Sequence, residues 1–245
     1  MSERTSEQQG VEELAIEDQA VSQPAMNGQP AYKAFIFDLD GTLLHTLPDL
    51  VNVTNKALAD QGFPPHTSEE ILTFVGDGAA RLIAQAVPVD ATPEQQERVF
   101  QNFKAFYHDF GILYTTEFDG MTEALQQAKD AGVKLGILSN KFEQGVLDVR
   151  DRFFAGLIEV AHGESDMIPR KPDPTGLLLC ARELGVDPVE CLFFGDSASD
   201  IMAAHNAGMK GVAVTWGYQP HERLMSAKPD YVIETPADML ALAGL

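Results

Sequence analysis

The sequence predicts an α/β protein, a doubly wound parallel sheet (a Rossmann-like core) into which a helical domain is inserted. Three observations support this prediction. Short, almost continuously apolar runs recur along the chain after residue 31, and helical patterns separate most of them. One long interval after the first run contains only helical patterns. Apolar strands that alternate with helices are typical of a parallel sheet that is buried on both faces.

The predicted strands define the sheet. Helical patterns such as GMTEALQQAKDAG (120–132) and PTGLLLCARELG (174–185) lie between them and would cover the two faces of the sheet. The six predicted strands are AFIF (34–37), KLGILS (134–139), LIEVAHG (157–163), CLFFGD (191–196), GVAVTW (211–216) and YVI (231–233).

The interval after the first strand is too long for a simple crossover, which needs only one helix. We therefore predict an inserted helical domain over residues 47–116, connected by two short linkers to an α/β core made of 31–46 and 117–245. Residues 1–30 contain no aromatic residue and are rich in Glu and Gln, which predicts a disordered acidic tail.

Composition excludes several classes of function. The chain has 245 residues and a net charge of −20, from 37 acidic and 17 basic residues, so nucleic acid and anionic membranes are not expected as partners. The two cysteines, Cys180 and Cys191, fall within a predicted helix and a predicted strand and are expected in the core. No leader and no apolar run long enough for a membrane span is visible, which predicts a cytoplasmic protein.

Polar residues follow the predicted strands at the edge where open α/β sheets bind ligands. Several carboxylates in one place repel each other and require a cation, and Mg²⁺ favours such hard oxygen ligands. The candidate residues are Asp38, Asp40, Ser139, Lys171, Asp196 and Asp200. The pattern therefore predicts a magnesium site that faces a phosphate group.

Each candidate suits one part of phosphoryl transfer. Asp38 could attack phosphorus, and Asp40 could protonate the leaving alkoxide and later deprotonate water. Ser139 and the backbone N–H groups of the turn at 38–42 could hold phosphate oxygens, while Lys171 balances the negative charge.

Four motifs, FDLDGTL, ILSN, RKPDP and GDSASDIMAAHNAG, occur in this order along the chain. Together they resemble the motifs of the haloacid dehalogenase superfamily of aspartate-nucleophile phosphatases, over residues 31–245. The helical insert resembles the cap domain of that family. DGTLLHTLPDL, FVGDGAARL, SNK and VTWGY make the chain most similar to the phosphoglycolate phosphatases, although His45 and Phe142 depart from the usual pattern.

The resemblance implies the same catalytic roles and adds a ligand set. It gives the metal to Asp38, the backbone carbonyl of Asp40, and Asp196, with Asp200 beside them to orient a metal-bound water or Lys171. The loop FVGDGAARL would face the substrate from the cap, with Arg81 a candidate partner for a substrate carboxylate. The expected substrate-binding residues are Leu39, Gly41, Thr42, Asn140, Gly78 and Arg81.

The expected function is that of a Mg²⁺-dependent phosphomonoesterase that forms an aspartyl-phosphate and acts on a small phosphorylated acid, best represented by 2-phosphoglycolate. A sugar-phosphate phosphatase, a pyrophosphatase or a phosphomutase of the same family remains an alternative. Dehalogenases and phosphonate-cleaving relatives are disfavoured because Asp40 supplies the second acid that the resemblance implies they lack. A non-catalytic phosphoryl-binding regulator is the alternative from another class. The protein is expected to be a monomer or a homodimer.

Overall fold

The computed structural model describes residues 31–245, and the predicted acidic tail at 1–30 lies outside the described residues. The core is a six-stranded sheet in the order β5-β4-β1-β6-β7-β8, and every neighbouring pair is parallel. The prediction of a parallel sheet with flanking helices is confirmed, and each of the six predicted runs contributes one strand. None of the described helices is both long enough and apolar enough to cross a bilayer.

The elements follow the predicted alternation. The strands are β1 Ala34–Phe37, β2 Leu44–His45, β3 Thr116–Glu117, β4 Lys134–Phe142, β5 Val160–Glu164, β6 Cys191–Gly195, β7 Lys210–Val214 and β8 Tyr231–Ile233. The helices are α1 Leu47–Asp60, α2 Ser68–Phe74, α3 Ala79–Ala86, α4 Pro93–Phe110, α5 Met121–Asp130, α6 Glu143–Phe153, α7 Thr175–Leu184, α8 Ala198–Asn206, α9 His221–Ser226 and α10 Met239–Ala243. Short 3₁₀ turns occupy Pro188–Glu190 and Pro236–Asp238.

Strand β1 shows why the sheet strands are apolar throughout. Phe35 and Phe37 face a cluster that includes residues of α5, α6 and α10, whereas Ala34 and Ile36 face a second cluster that includes residues of α7 and α8. Because successive side chains alternate between the two faces, both sets are buried. The central position of β1, between β4 and β6, therefore requires four consecutive apolar residues.

Helices α1 to α4 occupy the predicted insert and pack around a hydrophobic cluster of their own, which includes Leu50, Leu82, Ile83 and Phe103. Helices α2 and α4 begin at capping boxes formed by Thr67 and Thr92, which satisfy backbone N–H groups at both starts. The assignment of 47–116 as a separate cap domain stays a prediction.

The two linkers between core and insert lie side by side, a feature that the sequence did not indicate. Strands β2 and β3 pair antiparallel, with His45 opposite Thr116. Buried Asp49 of α1 accepts hydrogen bonds from the backbone N–H groups of Tyr114 and Thr115 and from the Thr115 hydroxyl, at 2.7 to 3.1 Å. The Asp49 carboxylate thus connects the second linker, at Tyr114 and Thr115, to the start of the insert.

Candidate active site

The predicted catalytic residues meet at the carboxyl edge of the sheet. Asp38 directly follows β1 and Asp196 directly follows the neighbouring β6, whose Phe194 is opposite Phe37. Parallel pairing places Asp38 level with Gly195, so Asp196 lies one residue further along the adjacent strand and the two carboxylates still end close together. Lys171 reaches this point from the loop between β5 and α7.

Asp38, Asp196 and Asp200 form a buried acidic cluster, since each offers a carboxylate oxygen within 4.8 Å of the others. Lys171 Nζ lies 2.7 Å from Asp38 Oδ1 and 2.7 Å from Asp200 Oδ1. Burial alone would lower the pKa of Lys171, but the charges of Asp200 and Asp38 raise it well above its ordinary value. The cluster therefore contains three carboxyl groups and one firmly protonated amine.

The cluster carries more carboxyl groups than its lysine can neutralise. Burial, opposed in part by Lys171, raises the pKa of Asp38 from 3.8 to about 6, and burial with the neighbouring acids raises the pKa of Asp196 well above 3.8. Both raised pKa values favour the protonated forms of Asp38 and Asp196 unless another cation is present. Oxygen ligands with excess negative charge fit a divalent cation such as Mg²⁺.

Asp200 differs from the other two acids because both of its oxygens have protein partners. Its Oδ2 accepts hydrogen bonds from the Ser197 backbone N–H at 2.9 Å and the Ser197 hydroxyl at 2.6 Å, at the start of α8. Its Oδ1 faces Lys171. Asp200 thus contacts Lys171, and its role in orienting this lysine or a metal-bound water stays a prediction.

The carboxylate of Asp40 points to a different partner. Lys141 Nζ donates to both Asp40 oxygens, at 2.7 and 2.8 Å, and the lysine side chain is only 3% exposed. The ammonium lies 4.8 Å from the ring centre of Tyr107 in α4. Burial raises the pKa of Tyr107 to about 12, so its hydroxyl stays neutral. The candidate acid/base is thus connected through Lys141 to the insert.

Ser139, Asn140 and Lys141 occupy the last part of β4, which continues to Phe142 rather than ending at Ser139 as predicted. The pairing of β4 with β5 shifts its register in this segment, so the strand is irregular where it enters the site. The Asn140 side chain accepts from the Lys171 backbone N–H at 2.8 Å and donates to the Gly76 carbonyl at 2.9 Å. It therefore links the lysine loop to the insert.

The turn after β1 is compact because Gly41 adopts a positive φ of 85°. A Cβ atom at this position would lie 2.5 Å from an Asp196 oxygen, so only glycine fits. The N–H groups of Gly41 and Thr42 donate to carbonyls within the turn. Within the turn predicted to hold phosphate, Leu39 and Asp40 keep backbone N–H groups without a partner among the described residues.

Sequence reasoning missed two residues that organise the site. One is Lys141, whose signal was its place directly after the predicted strand-end pair SN. The other is Tyr218 of the VTWGY segment, which donates its backbone N–H to Asp196 Oδ2 at 2.6 Å. The Tyr218 hydroxyl accepts from the backbone N–H groups of Thr46 and Leu47, so one residue connects the acidic cluster to the first linker.

A cavity of about 250 Å³ lies above these groups and is lined by Asp38, Asp40, Ser139 and Lys171. Its insert side is largely apolar. The apolar lining residues there are Leu50, Leu72, Val75, Ala79, Leu82 and Phe103.

Gly78 and Arg81, the two residues of the insert that were predicted to contact the substrate, lie in different places. Gly78 lines the cavity and packs so tightly on the core that an added Cβ would lie 3.0 Å from the Asn140 carbonyl. Arg81 does not line the cavity; its side chain is 63% exposed and pairs with Asp77 at 3.1 Å. Its role as a carboxylate contact stays a prediction.

Comparison with known proteins identifies one matching family and several phosphatase relatives. Residues 35–214 match the family model described as haloacid dehalogenase-like hydrolase. The chain is 33% identical over 225 residues to the phosphoglycolate phosphatase of Mannheimia succiniciproducens, covering 89% of this chain and 100% of that protein. It is 31% identical to the N-acetylmuramic acid 6-phosphate phosphatase of Pseudomonas aeruginosa, covering 85% of this chain and 93% of that protein.

The fold has a solved counterpart of similar size. The crystal structure of a predicted phosphoglycolate phosphatase from Haemophilus somnus superimposes with a TM-score of 0.79 at 30% identity. The match covers 86% of this chain and 97% of that one.

Proposed function

The chain belongs to the haloacid dehalogenase-like hydrolases, as its motifs predicted, and we propose that it is a Mg²⁺-dependent phosphatase of small phosphorylated acids, with 2-phosphoglycolate the best candidate. One observation carries the proposal. Asp38 lies on the cavity floor beside Lys171 and two further acids, while Asp40 lines the same cavity. A nucleophile, a charge-balancing amine and a second acid thus share one small space.

The chemistry follows from these positions. An oxygen of Asp38 attacks phosphorus, the ester P–O bond breaks, and the leaving alkoxide takes a proton from the carboxyl group of Asp40. Asp40 then accepts a proton from water as the water oxygen attacks the aspartyl-phosphate. The Asp38–phosphorus bond breaks and inorganic phosphate leaves, which restores both carboxyl groups.

Lys171 and the turn supply electrostatic stabilisation. Lys171 already contacts Asp38, so its charge is in place when negative charge spreads over the phosphoryl oxygens. Ser139 and the free N–H of Leu39 are the candidate donors to those oxygens.

The proposed metal residues are Asp38, Asp196 and the backbone carbonyl of Asp40. Asp200 is left out of this set, because Ser197 hydrogen-bonds its Oδ2 and the Lys171 ammonium lies 2.7 Å from its Oδ1. When bound, Mg²⁺ supplies positive charge that offsets the repulsion between the acids and a phosphate dianion. The raised pKa values of Asp38 and Asp196 in the ion-free site support this choice.

Two features favour a small substrate. The cavity of about 250 Å³ is below the range of roughly 300–1,000 Å³ that is usual for drug-sized ligands. Its apolar insert side offers few groups for the hydroxyls of a sugar. N-acetylmuramic acid 6-phosphate, which the name of the Pseudomonas aeruginosa relative specifies, is the second candidate; it also bears a carboxylate but is far bulkier.

A substrate panel tests the proposal. Phosphate release is measured for 2-phosphoglycolate, glucose 6-phosphate, N-acetylmuramic acid 6-phosphate and pyrophosphate in Mg²⁺. We expect kcat/KM for 2-phosphoglycolate to exceed that for glucose 6-phosphate by about 100-fold or more, the scale of a few kcal/mol of differential contact in the transition state. Equal efficiency on both would refute the small-acid substrate. No turnover of any ester would favour the non-catalytic phosphoryl-binding alternative.

A further inference from the structure

The charged groups that line the cavity are almost all paired with one another. Lys171 lies between Asp38 and Asp200, and Lys141 is held by both oxygens of Asp40. Neither lysine is therefore free to neutralise a second charged group on the substrate. Two charged lining residues have no ion pair with any described residue: Asp196, whose Oδ2 accepts the Tyr218 backbone N–H, and Arg223 in α9. Arg223 is exposed, and its side chain makes no hydrogen bond to any described residue.

Gln219, close to Arg223 in the chain, presents a further donor. Its side-chain oxygen accepts a hydrogen bond from the Ala198 backbone N–H at 2.7 Å, which turns the amide oxygen toward α8. The NH₂ group of Gln219 then remains available, and Gln219 also lines the cavity. A guanidinium and an amide NH₂ that line the same cavity offer donors for the two oxygens of a carboxylate.

The segment that carries these donors is fixed relative to the reacting groups. Tyr218, which precedes Gln219, donates its backbone N–H to Asp196 at 2.6 Å. Its hydroxyl accepts from Thr46 and Leu47, at 2.8 and 3.0 Å, so both ends of the residue are anchored. Tyr218 thus links the segment that carries Gln219 both to the acidic cluster and to the start of the insert.

We propose that Arg223, assisted by Gln219, binds the carboxylate of the substrate and sets the preference for phosphorylated acids. This inference rests on the proposed function and assigns to the core a specificity contact that the sequence placed on Arg81 of the insert. Arg81 is the weaker candidate because it is paired with Asp77 and lies outside the cavity lining. The apolar insert side would then pack against the short carbon chain.

The test compares 2-phosphoglycolate with 2-hydroxyethyl phosphate, in which a neutral hydroxymethyl group replaces the carboxylate. Wild type, Arg223→Gln, Arg223→Lys and Arg81→Gln are assayed for kcat/KM on both esters in Mg²⁺. Arg182→Gln is the matched control, because Arg182 is an exposed arginine of α7 that does not line the cavity.

We expect Arg223→Gln to lower kcat/KM for 2-phosphoglycolate by about 10- to 150-fold, the range for hydrogen bonds to a charged group. Turnover of the neutral ester should stay within about threefold of wild type. Arg223→Lys should recover part of the loss, because it keeps the charge without the planar fork. The Arg182 control should leave both substrates unchanged.

The remaining outcomes overturn the inference in distinguishable ways. If the wild type prefers the acid but Arg223→Gln keeps that preference, the inference is wrong and the proposed function stands. If Arg81→Gln removes the preference instead, the contact comes from the insert. An equal loss on both esters places Arg223 at the phosphate or in the fold. A wild type without preference for the acid refutes the small-acid substrate together with this inference.

Discussion

Replacing the proposed nucleophile by its amide, Asp38→Asn, should abolish turnover and yet stabilise the protein in the absence of metal. In the folded state the pKa of Asp38 is raised from 3.8 to about 6, chiefly by burial. Ionising this group at pH 8 therefore costs the folded state up to about 3 kcal/mol, from about two pKa units at 1.36 kcal/mol each. The amide is neutral and avoids this cost. Lys171 keeps a counter-charge because Asp200 lies 2.7 Å away.

The sign of the pH dependence follows from the same pKa shift. Because the folded pKa is above the unfolded one, the folded state binds more protons between pH 3.8 and about 6, and stability from Asp38 is lost as pH rises through this window. The gain from Asp38→Asn should be about 2 kcal/mol at pH 5 and about 3 kcal/mol at pH 8. At pH 8 this corresponds to a rise in Tm of about 6–12 °C.

The assay is thermal unfolding in excess chelator at both pH values. After the chelator is removed, unfolding is measured again with and without Mg²⁺. Asp40→Asn is the matched control with the opposite expected sign, because it leaves the buried ammonium of Lys141 without its counter-charge. Mg²⁺ should stabilise the wild type more than Asp38→Asn. A metal-free Asp38→Asn protein that is less stable than wild type at pH 8, or whose gain does not grow with pH, would refute the reasoning. Near-normal turnover of this variant would refute Asp38 as nucleophile.

Three further predictions test the rest of the site. Removing metal with a chelator should abolish phosphate release. Mg²⁺ but not Ca²⁺ should restore it, since the looser coordination of Ca²⁺ misplaces the nucleophile. Full activity of the metal-free protein would contradict this prediction. Lys141→Met should lower kcat at least about tenfold with an unchanged circular dichroism spectrum, because Asp40 loses the group that positions it; unaltered kcat would exclude that positioning role. Deleting residues 1–30 should leave kcat/KM and Tm nearly unchanged, because this segment lacks aromatic anchors; a large fall in Tm would show that it packs.

The helical insert was predicted only in part: its helices were expected from local sequence patterns, but the contacts between its two ends were not. The helical patterns of 47–116 predicted helices, and α1 to α4 form there, α2 and α4 with capping boxes that the local sequence encodes. The pairing of β2 with β3 was not predicted, because two-residue strands carry no periodicity. The Asp49 contact with residues 114 and 115 was missed as well, since its partners are more than sixty positions away along the chain.

The sequence by itself determined the six sheet strands and the polar residues that follow them. Both are local signals: a strand buried on two faces must be continuously apolar, and parallel strands bring their carboxyl ends to one edge. The meeting of Asp38 and Asp196, which directly follow β1 and β6, could therefore be predicted from the sequence.

Only the tertiary structure decided which charges pair and which remain free. Lys141 reaches Asp40 across 101 positions, and Tyr218 joins the acidic cluster to the first linker, because packing of separate elements aligned these groups. Arg81 pairs with Asp77, only four residues away, outside the cavity lining, whereas packing places Arg223 within the lining without an ion pair among the described residues. Side-chain pairing depends on distances between elements, and residue order along the chain does not encode those distances directly.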